Sequence, residues 1–448
     1  MQNHLFCFNV VGLSPKLLDK LIKMPSFSRL MENGKRADMK PVFPCLTLPG
    51  QASFSTGTYP EEHGIVANGF YYRDRFEVSF WDQYRSLVQA KPLWETLKDK
   101  DRDMKTAVLF SQNTLYGDAD FIITPKPMHT DAGLVQWCYS KPVGFYEKIS
   151  QDIGRPFNLM DYWGPFASSK ASQWIMEAAV CLVKDHLPNF MMTYLPHLDY
   201  SCQKFGPDDV KVDDDLRVVD KLMGDFINTL EKIGIRENST ICIFSEYSLS
   251  NVSGAVLLNR ALRDGGFLKV REIESREYLD FEMSQAFAMV DHQVAHIYVK
   301  NSSDIEDVKK LIEGIDGVDM VFSETEKKAL KIDHERSGEL VAVSEPDKWF
   351  AYYWWGDKEK APDFACNIDI HRKPGYDPLE LFMDMETMKI PQTPELIKGS
   401  HGVPANNGEG MAVFMVTGKK AETIDLPGTI EMVDAAPLLK EMAGTSDV

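Results

Sequence analysis

From residue 5 to residue 248, apolar runs of strand length alternate with longer amphipathic stretches, and that alternation constrains the fold more than any other feature of the chain. "LFCFNVV" (5–11) is followed by "SPKLLDKLIKM", in which Ser14 is placed to cap a helix and Pro15 to open its first turn. "PLWETLKDK" precedes "TAVLF" (106–110), and "SSKASQWIMEAAVCLVKDH" (168–186) precedes "NFMMTYLPHLDY" (189–200). A further helical stretch over roughly 208–233 leads into "STICIFSEYS" (239–248). This spacing is that of βα units, so the expected fold is α/β, a mainly parallel sheet sandwiched by helices. In such sheets ligands collect at the carboxyl ends of the strands, where Thr47, Asp199 and Glu246 fall.

The second half is less regular. "AHIYVK", "DMVFS", "LVAVS" and "WFAYYWW" read as short strands, "MAVFMV" (411–416) as a late return to the central sheet, and "TIEMVDAAPLLKEMAG" as an edge helix. One large domain over 1–448 is expected, with 111–165 and about 255–395 as insertions or cap segments over the active face.

Composition excludes some functions. The 448 residues carry 49 Lys and Arg against 67 Asp and Glu, a net charge of −18, with no basic run, so a nucleic-acid backbone is repelled. No apolar run approaches the ~20 residues that span a bilayer, so no membrane partner is expected. "MQNHLFCFNVVGL" lacks the basic and apolar regions of a signal peptide. The seven cysteines form no CxxC pair and read as buried thiols. A cytoplasmic location follows as the expectation.

Several acidic and imidazole residues end apolar runs: Asp199 in "LPHLDY", Glu246 in "FSEYS", and Asp291, His292 and His296 in "VDHQVAH". Others sit in glycine-containing loops: Asp369, His371 and Asp377 in "NIDIHRKPGYDP" and His401 in "KGSHGVP". Carboxylates and imidazoles at sheet ends suit a divalent cation, though each taken singly is more often a cap or a satisfied loop residue. "KPVFPCLTLPGQASFSTGTYPEEHGIVANGFYYRD" (40–74) places Thr47 between an apolar run and a helix start, with Asn68-Gly69 some twenty residues on. By themselves these are a strand-end turn residue and a tight turn.

Together, "VVGL", "FPCLTLPGQASFSTGTYPEEHGIVANGFYYRD", "VSFWDQ", "LPHLDYSCQKFGP", "FSEYS" and "GSHG" resemble, in order along nearly the whole chain, the nucleotide pyrophosphatase/phosphodiesterase family of the alkaline phosphatase superfamily. The resemblance implies that Thr47 is the nucleophile, activated by a metal and forming a phosphothreonine that water hydrolyses. It implies that Asn68 donates to a non-bridging phosphate oxygen. It implies two metal ions on six Asp and His ligands, with zinc expected and manganese or iron as alternatives.

The ligand positions depart from that pattern. Val11 stands where the first-strand Asp belongs, Gln203 where a His follows Asp199, and Glu246-Tyr247-Ser248 where Asp-His-Gly belongs, while His401 is retained. Two readings follow. In the first, the chain is a metal-dependent hydrolase of phosphodiester, pyrophosphate or phosphono-ester bonds. Its metal ligands are then Asp199, Glu246, His401 and Gln203, with His292, Asp291, His371 and Asp369 recruited. Tyr247, Arg372 and Phe70 contact a small phosphorylated or phosphonate substrate, a nucleotide among them, and Tyr247 hydrogen-bonds the nucleophile. In the second, the site is inactive and binds an anionic ligand or a protein. An isomerase or mutase of the superfamily is disfavoured by a threonine at position 47.

Overall fold

The computed structural model describes residues 3–131, 133–406 and 410–444. In chain order its main strands are β1 His4–Val10, β2 Gly34–Lys40, β3 Thr106–Leu109, β4 Phe121–Pro125, β5 Cys138–Lys141, β6 Phe190–Leu195 and β7 Ser239–Phe244. They continue with β8 Ala286–Asp291, β9 Val294–Val299, β10 Val318–Phe322, β11 Leu340–Ser344, β12 Ala412–Thr417 and β13 Thr429–Glu431. Nine form the central sheet in the order β13-β2-β12-β7-β1-β6-β3-β4-β5. The block β7-β1-β6-β3-β4 is parallel, and β12 and β5 run antiparallel to β7 and β4.

The alternation read from sequence has a direct physical outcome. Strand β1 is buried along its whole length, and its residues divide between two cores as the pleat dictates. Phe6, Phe8 and Val10 pack with the helices α2 Ser169–His186 and α4 Val210–Lys232, where Phe226 meets Phe6 and Phe8 edge-on. Leu5 and Cys7 turn the other way, toward Phe54 of α1 Thr47–Thr56 and Leu439 of the C-terminal helix. Ser14 caps the helix Pro15–Leu21 by accepting from Leu17 N, as its sequence predicts.

The apolar run before Thr47 is not a strand end. Strand β2 stops at Lys40, and residues 41–46 form an irregular link, bent at Phe43-Pro44, into α1. Residues 111–165 supply strand β4 and the edge strand β5 before crossing to α2, and "WFAYYWW" contributes only Trp349 and Phe350, the end of the strand Lys348–Phe350. Residues 286–344 build a separate four-stranded sheet, β8-β9-β11-β10. Its two-residue hairpin, His292-Gln293, points at the central sheet and is held by Gln293 N donating to His401 O at 3.0 Å and Phe350 N donating to His292 O at 2.7 Å.

A buried ionic cluster fixes the loop that follows this sheet. Lys373, 1% exposed, donates to Asp377 at 2.8 Å and pairs with Glu380 at 2.6 Å, and Trp163 Nε1 donates to Glu380 at 2.6 Å. Truncating one partner of such a cluster strands the others, at a cost of about 3–5 kcal/mol. Lys373→Met therefore lowers the unfolding free energy measured by urea titration by that order, and Lys373→Met with Asp377→Asn and Glu380→Gln recovers most of the loss. A single variant as stable as the parent refutes the assignment.

Candidate functional site

Strands β1, β6 and β7 end level with one another, Asn9 lying beside both Tyr194 and Phe244 in register. The segments leaving β6 and β7 carry the site. Asp199 lies in the first turn of α3 His197–Phe205, and Glu246-Tyr247 follow β7 directly. Thr47 is the first residue of α1. Gly50, one turn on, lets α1 come against Glu246, since a Cβ there would stand 2.9 Å from Glu246 Cβ.

The structure brings Thr47, Asn68, Asp199, Gln203, Glu246, Tyr247, Asp291, His292 and His401 together, all buried. Thr47 Oγ1 lies 3.2 Å from the Tyr247 hydroxyl, which donates to Asp199 Oδ1 over 3.5 Å. Gln203 Nε2 donates to Asp199 Oδ2 at 2.6 Å, while Gln203 Oε1 accepts from the Tyr376 hydroxyl at 2.9 Å. Asn68 Oδ1 accepts from Leu48 N at 2.9 Å. Asp291 accepts from Asn68 N at 2.8 Å and from Asn68 Nδ2 at 3.0 Å, and His292 Nδ1 donates to it at 2.9 Å. Glu246 Oε1 accepts from Gln51 Nε2 at 2.7 Å.

Four rings fill the remaining space. Tyr247 stacks on His401 at 3.5 Å between centroids, His401 meets His292 at 3.8 Å, and His292 stacks on Tyr376 at 3.8 Å. His401 Nδ1 donates to Cys45 O at 2.7 Å. The Nε2 atoms of His292 and His401 have no partner. Burial holds both imidazoles neutral, with pKa values well below the usual range. Burial also pushes the carboxyls of Asp199, Glu246 and Asp291 each up to about 7.

Other expected residues lie elsewhere or do other work. His296 is satisfied by the backbone, through Val66 O at 3.1 Å and Gly338 N at 3.1 Å. His371 is exposed and bonded to Phe80 O at 3.1 Å. Asp369 and Asp363 hold Arg372 at the surface, so its guanidinium is committed to an ion-pair cluster rather than to the site. Phe70 packs with Leu48, Ala52 and Ile65 beneath α1. Gln51, one helical turn after Thr47, and Tyr376, in the quoted "KPGYDP", belong to the site but were not singled out in the sequence; their roles arise from contacts 195 and 173 residues away.

The expected metal ligands that meet here do not form a cation centre. Among the described residues no group of three or more His, Cys, Asp or Glu converges as a cation would require. Val11 is apolar, Gln203 spends both ends of its amide on Asp199 and Tyr376, and the Tyr247 ring covers one face of His401. The donors present do not fit a two-ion centre, nor do the recruits His371 and Asp369 supply the missing ones.

Three raised carboxyls give stability a defined pH dependence. Their ordinary values are 3.8 for Asp and 4.5 for Glu, so these three groups bind more protons in the folded chain than in the unfolded one from about pH 4 to about pH 7. The stability they contribute is complete below the unfolded values and is lost as pH rises toward 7. Across about pH 5 to 8 these carboxyls should pull the melting temperature down, by an amount equivalent to several kcal/mol, against an opposing rise from His292 and His401, whose lowered pKa values favour the fold as pH climbs through the ordinary imidazole range. The fall should be shallower in Asp199→Asn with Glu246→Gln. Parallel curves for the two proteins would remove these carboxyls as the cause.

The type I phosphodiesterase / nucleotide pyrophosphatase family model matches residues 5–377. Human ectonucleotide pyrophosphatase/phosphodiesterase family member 1 is 25% identical over 254 residues, 55% of this chain and 24% of that protein. Human bis(5'-adenosyl)-triphosphatase ENPP4 is 24% identical over 250 residues, 54% of this chain and 46% of that one. The chain thus spans less than half the length of these relatives. Among solved structures, phosphonoacetate hydrolase from Sinorhizobium meliloti, in complex with phosphonoformate, superposes with a TM-score of 0.64 at 16% identity. An inactive variant of murine ectonucleotide pyrophosphatase/phosphodiesterase 5, in complex with AMP, gives 0.61 at 15%. Each pair covers 100% of this chain and 96% of the other, which establishes the shared fold. On the family match, which takes in every site residue except His401, the chain belongs to the type I phosphodiesterase / nucleotide pyrophosphatase family.

Proposed function

We propose that this protein hydrolyses small phosphorus esters or anhydrides (a phosphodiester, pyrophosphate or phosphonate bond, nucleotides included) through a phosphothreonine at Thr47. The observation that carries the reading is the Thr47 hydroxyl in the first turn of α1, 3.2 Å from Tyr247 and beside an Asn68 amide locked in place from both ends. An amide nitrogen has two hydrogens, so Asn68 keeps one for a phosphoryl oxygen after serving Asp291. Family membership and the AMP and phosphonoformate complexes of the two similar folds support the substrate class. Metal dependence is not part of the proposal, because the donors do not fit. A cytoplasmic location is, supported by seven cysteines that are all unpaired.

In this reading Thr47 attacks phosphorus, Asn68 stabilises the charge that develops on the phosphoryl oxygen, and water later releases the phosphoryl group from Thr47. A second reading, a non-catalytic anion-binding relative, is favoured by one observation: the four-ring stack closes the site and leaves Thr47 only 3% exposed. Turnover of a chromogenic phosphodiester separates the two. The hydrolase should lose about a thousandfold or more in kcat/KM on Thr47→Ala, and acid quench should trap on Thr47 of the parent the phosphoryl group with its remaining ester substituent. A parent with no turnover, yet stabilised thermally by AMP or phosphonoformate, would establish the binding reading.

A further inference from the structure

The substitutions at the expected ligand positions form a pattern. Gln203 and Tyr247, which stand where the resemblance calls for histidines, both donate to the same carboxylate, Asp199, one to each oxygen. The Gln203 amide is oriented for this by the Tyr376 hydroxyl, which bonds its carbonyl and leaves its NH2 facing Asp199. Asp199 is thereby held by hydrogen bonds where a cation would otherwise fix it. The Tyr247 hydroxyl that donates to it also touches Thr47 Oγ1. Since Tyr247 gives its hydrogen to Asp199, the Thr47 hydroxyl is the donor in the 3.2 Å contact. A continuous path runs from Thr47 through Tyr247 to Asp199, all three side chains being buried.

We infer that this path replaces the metal: Thr47 is activated by a proton relay through Tyr247 to Asp199, with Gln203 and Tyr376 positioning the acceptor. The inference rests on Thr47 being the nucleophile of a phosphorus-ester hydrolase, as proposed above. In the first half-reaction the Thr47 Oγ–P bond forms and the P–O bond to the leaving group breaks, the leaving group departing with the bonding pair. The Thr47 proton passes to Tyr247 as the tyrosine's own proton passes to Asp199 Oδ1. In the second, water attacks phosphorus, Thr47 Oγ departs, and it recovers a proton along the same path in reverse. One hydrogen of the water stays on the phosphoryl oxygen and the other leaves to solvent or to the departed group. The 3.5 Å Tyr247–Asp199 separation is long for a hydrogen bond in the free protein, as such contacts often are before substrate binds.

The geometry also assigns Tyr247 a role that packing alone does not. Its ring is held against His401 at 3.5 Å with the planes 9° apart, so Tyr247→Phe keeps the stack and removes only the hydroxyl. Asp199→Asn keeps the shape and removes the proton acceptor.

The test uses the full-length protein stripped with chelator, and a p-nitrophenyl phosphonate ester whose leaving group needs no proton. Two signals are read: p-nitrophenolate released in the first turnover, and phosphonyl mass on the peptide containing Thr47. The parent should label at Thr47 in chelator at a rate that added zinc leaves unchanged. Tyr247→Phe and Asp199→Asn should each slow labelling by about a hundredfold or more, the half-saturating ester concentration staying within about threefold. Slowing of both rate and affinity by equal factors would mark a structural role and overturn the relay. So would labelling that requires zinc, or Tyr247→Phe labelling as fast as the parent. These outcomes leave Thr47 as nucleophile and remove only its activation. A parent that neither labels nor turns over under any condition overturns the hydrolase reading and the relay with it. As a second variant, Val11→Asp with Gln203→His and Tyr247→His should gain zinc by elemental analysis and lose labelling in chelator; a variant that takes up zinc yet labels unchanged in chelator would also overturn the relay.

Discussion

Asp291 accepts two hydrogen bonds from Asn68, one from its backbone N–H and one from its side chain, and the arrangement of the site depends on that joint. Asp291 ends β8 of the smaller sheet, whereas Asn68 leads back through Leu48 N to the start of α1. Thr47 is thus registered against two separately packed cores. The link is buried, so hydrogen bonds there are not in competition with water, and losing one partner would strand a carboxyl in an apolar setting. The same carboxyl also fixes His292, whose ring begins the stack that reaches Tyr247 through His401.

A site with three buried carboxyls and no assembled cation has to satisfy them in another way. Asp199 is held by Gln203 and Tyr247, Glu246 by Gln51, and Asp291 by Asn68 and His292. Each of these is a neutral donor or a neutral imidazole, so burial is compensated in hydrogen bonds and only weakly in charge, which is why the carboxyls titrate near neutrality. Neutral donors and neutral rings pack more closely than two hydrated cations would, and the Tyr247, His401, His292 and Tyr376 stack is the consequence.

The parts of this architecture legible in the sequence are those governed by local period. The alternation of five-to-seven-residue apolar runs with amphipathic helices gave the parallel block β7-β1-β6-β3 and the return strand β12, because strands covered on both faces must be apolar throughout. Motif order gave Thr47, Asn68, Asp199 and His401 as neighbours. The short strands β4 and β5 left no periodic signal in an aromatic, turn-rich segment. His296 and His371 looked like ligands because a histidine in sequence does not reveal that a backbone carbonyl already satisfies it. Gln51 and Tyr376 went unnoticed for the opposite reason, since their partners lie far along the chain and nothing nearby marks them.

The stack also marks where the two cores meet beside Thr47. His292 and Tyr376 belong to the segment that packs with the smaller sheet, Tyr376 N donating to Val290 O at 3.0 Å, whereas Tyr247 follows the central strand β7 and His401 bonds to Cys45 just ahead of α1. The four rings therefore straddle the seam between the two cores. Across that seam the Asn68–Asp291 contact is made of directed hydrogen bonds, whereas the His292–His401 contact is face packing between neutral rings. Separating the rings forfeits dispersion together with the Gln293–His401 and Tyr376–Gln203 hydrogen bonds, whereas separating Asn68 from Asp291 strands a buried carboxyl. The Asn68–Asp291 joint thus ties the seam beside the first turn of α1, where Asn68 also holds Leu48 N.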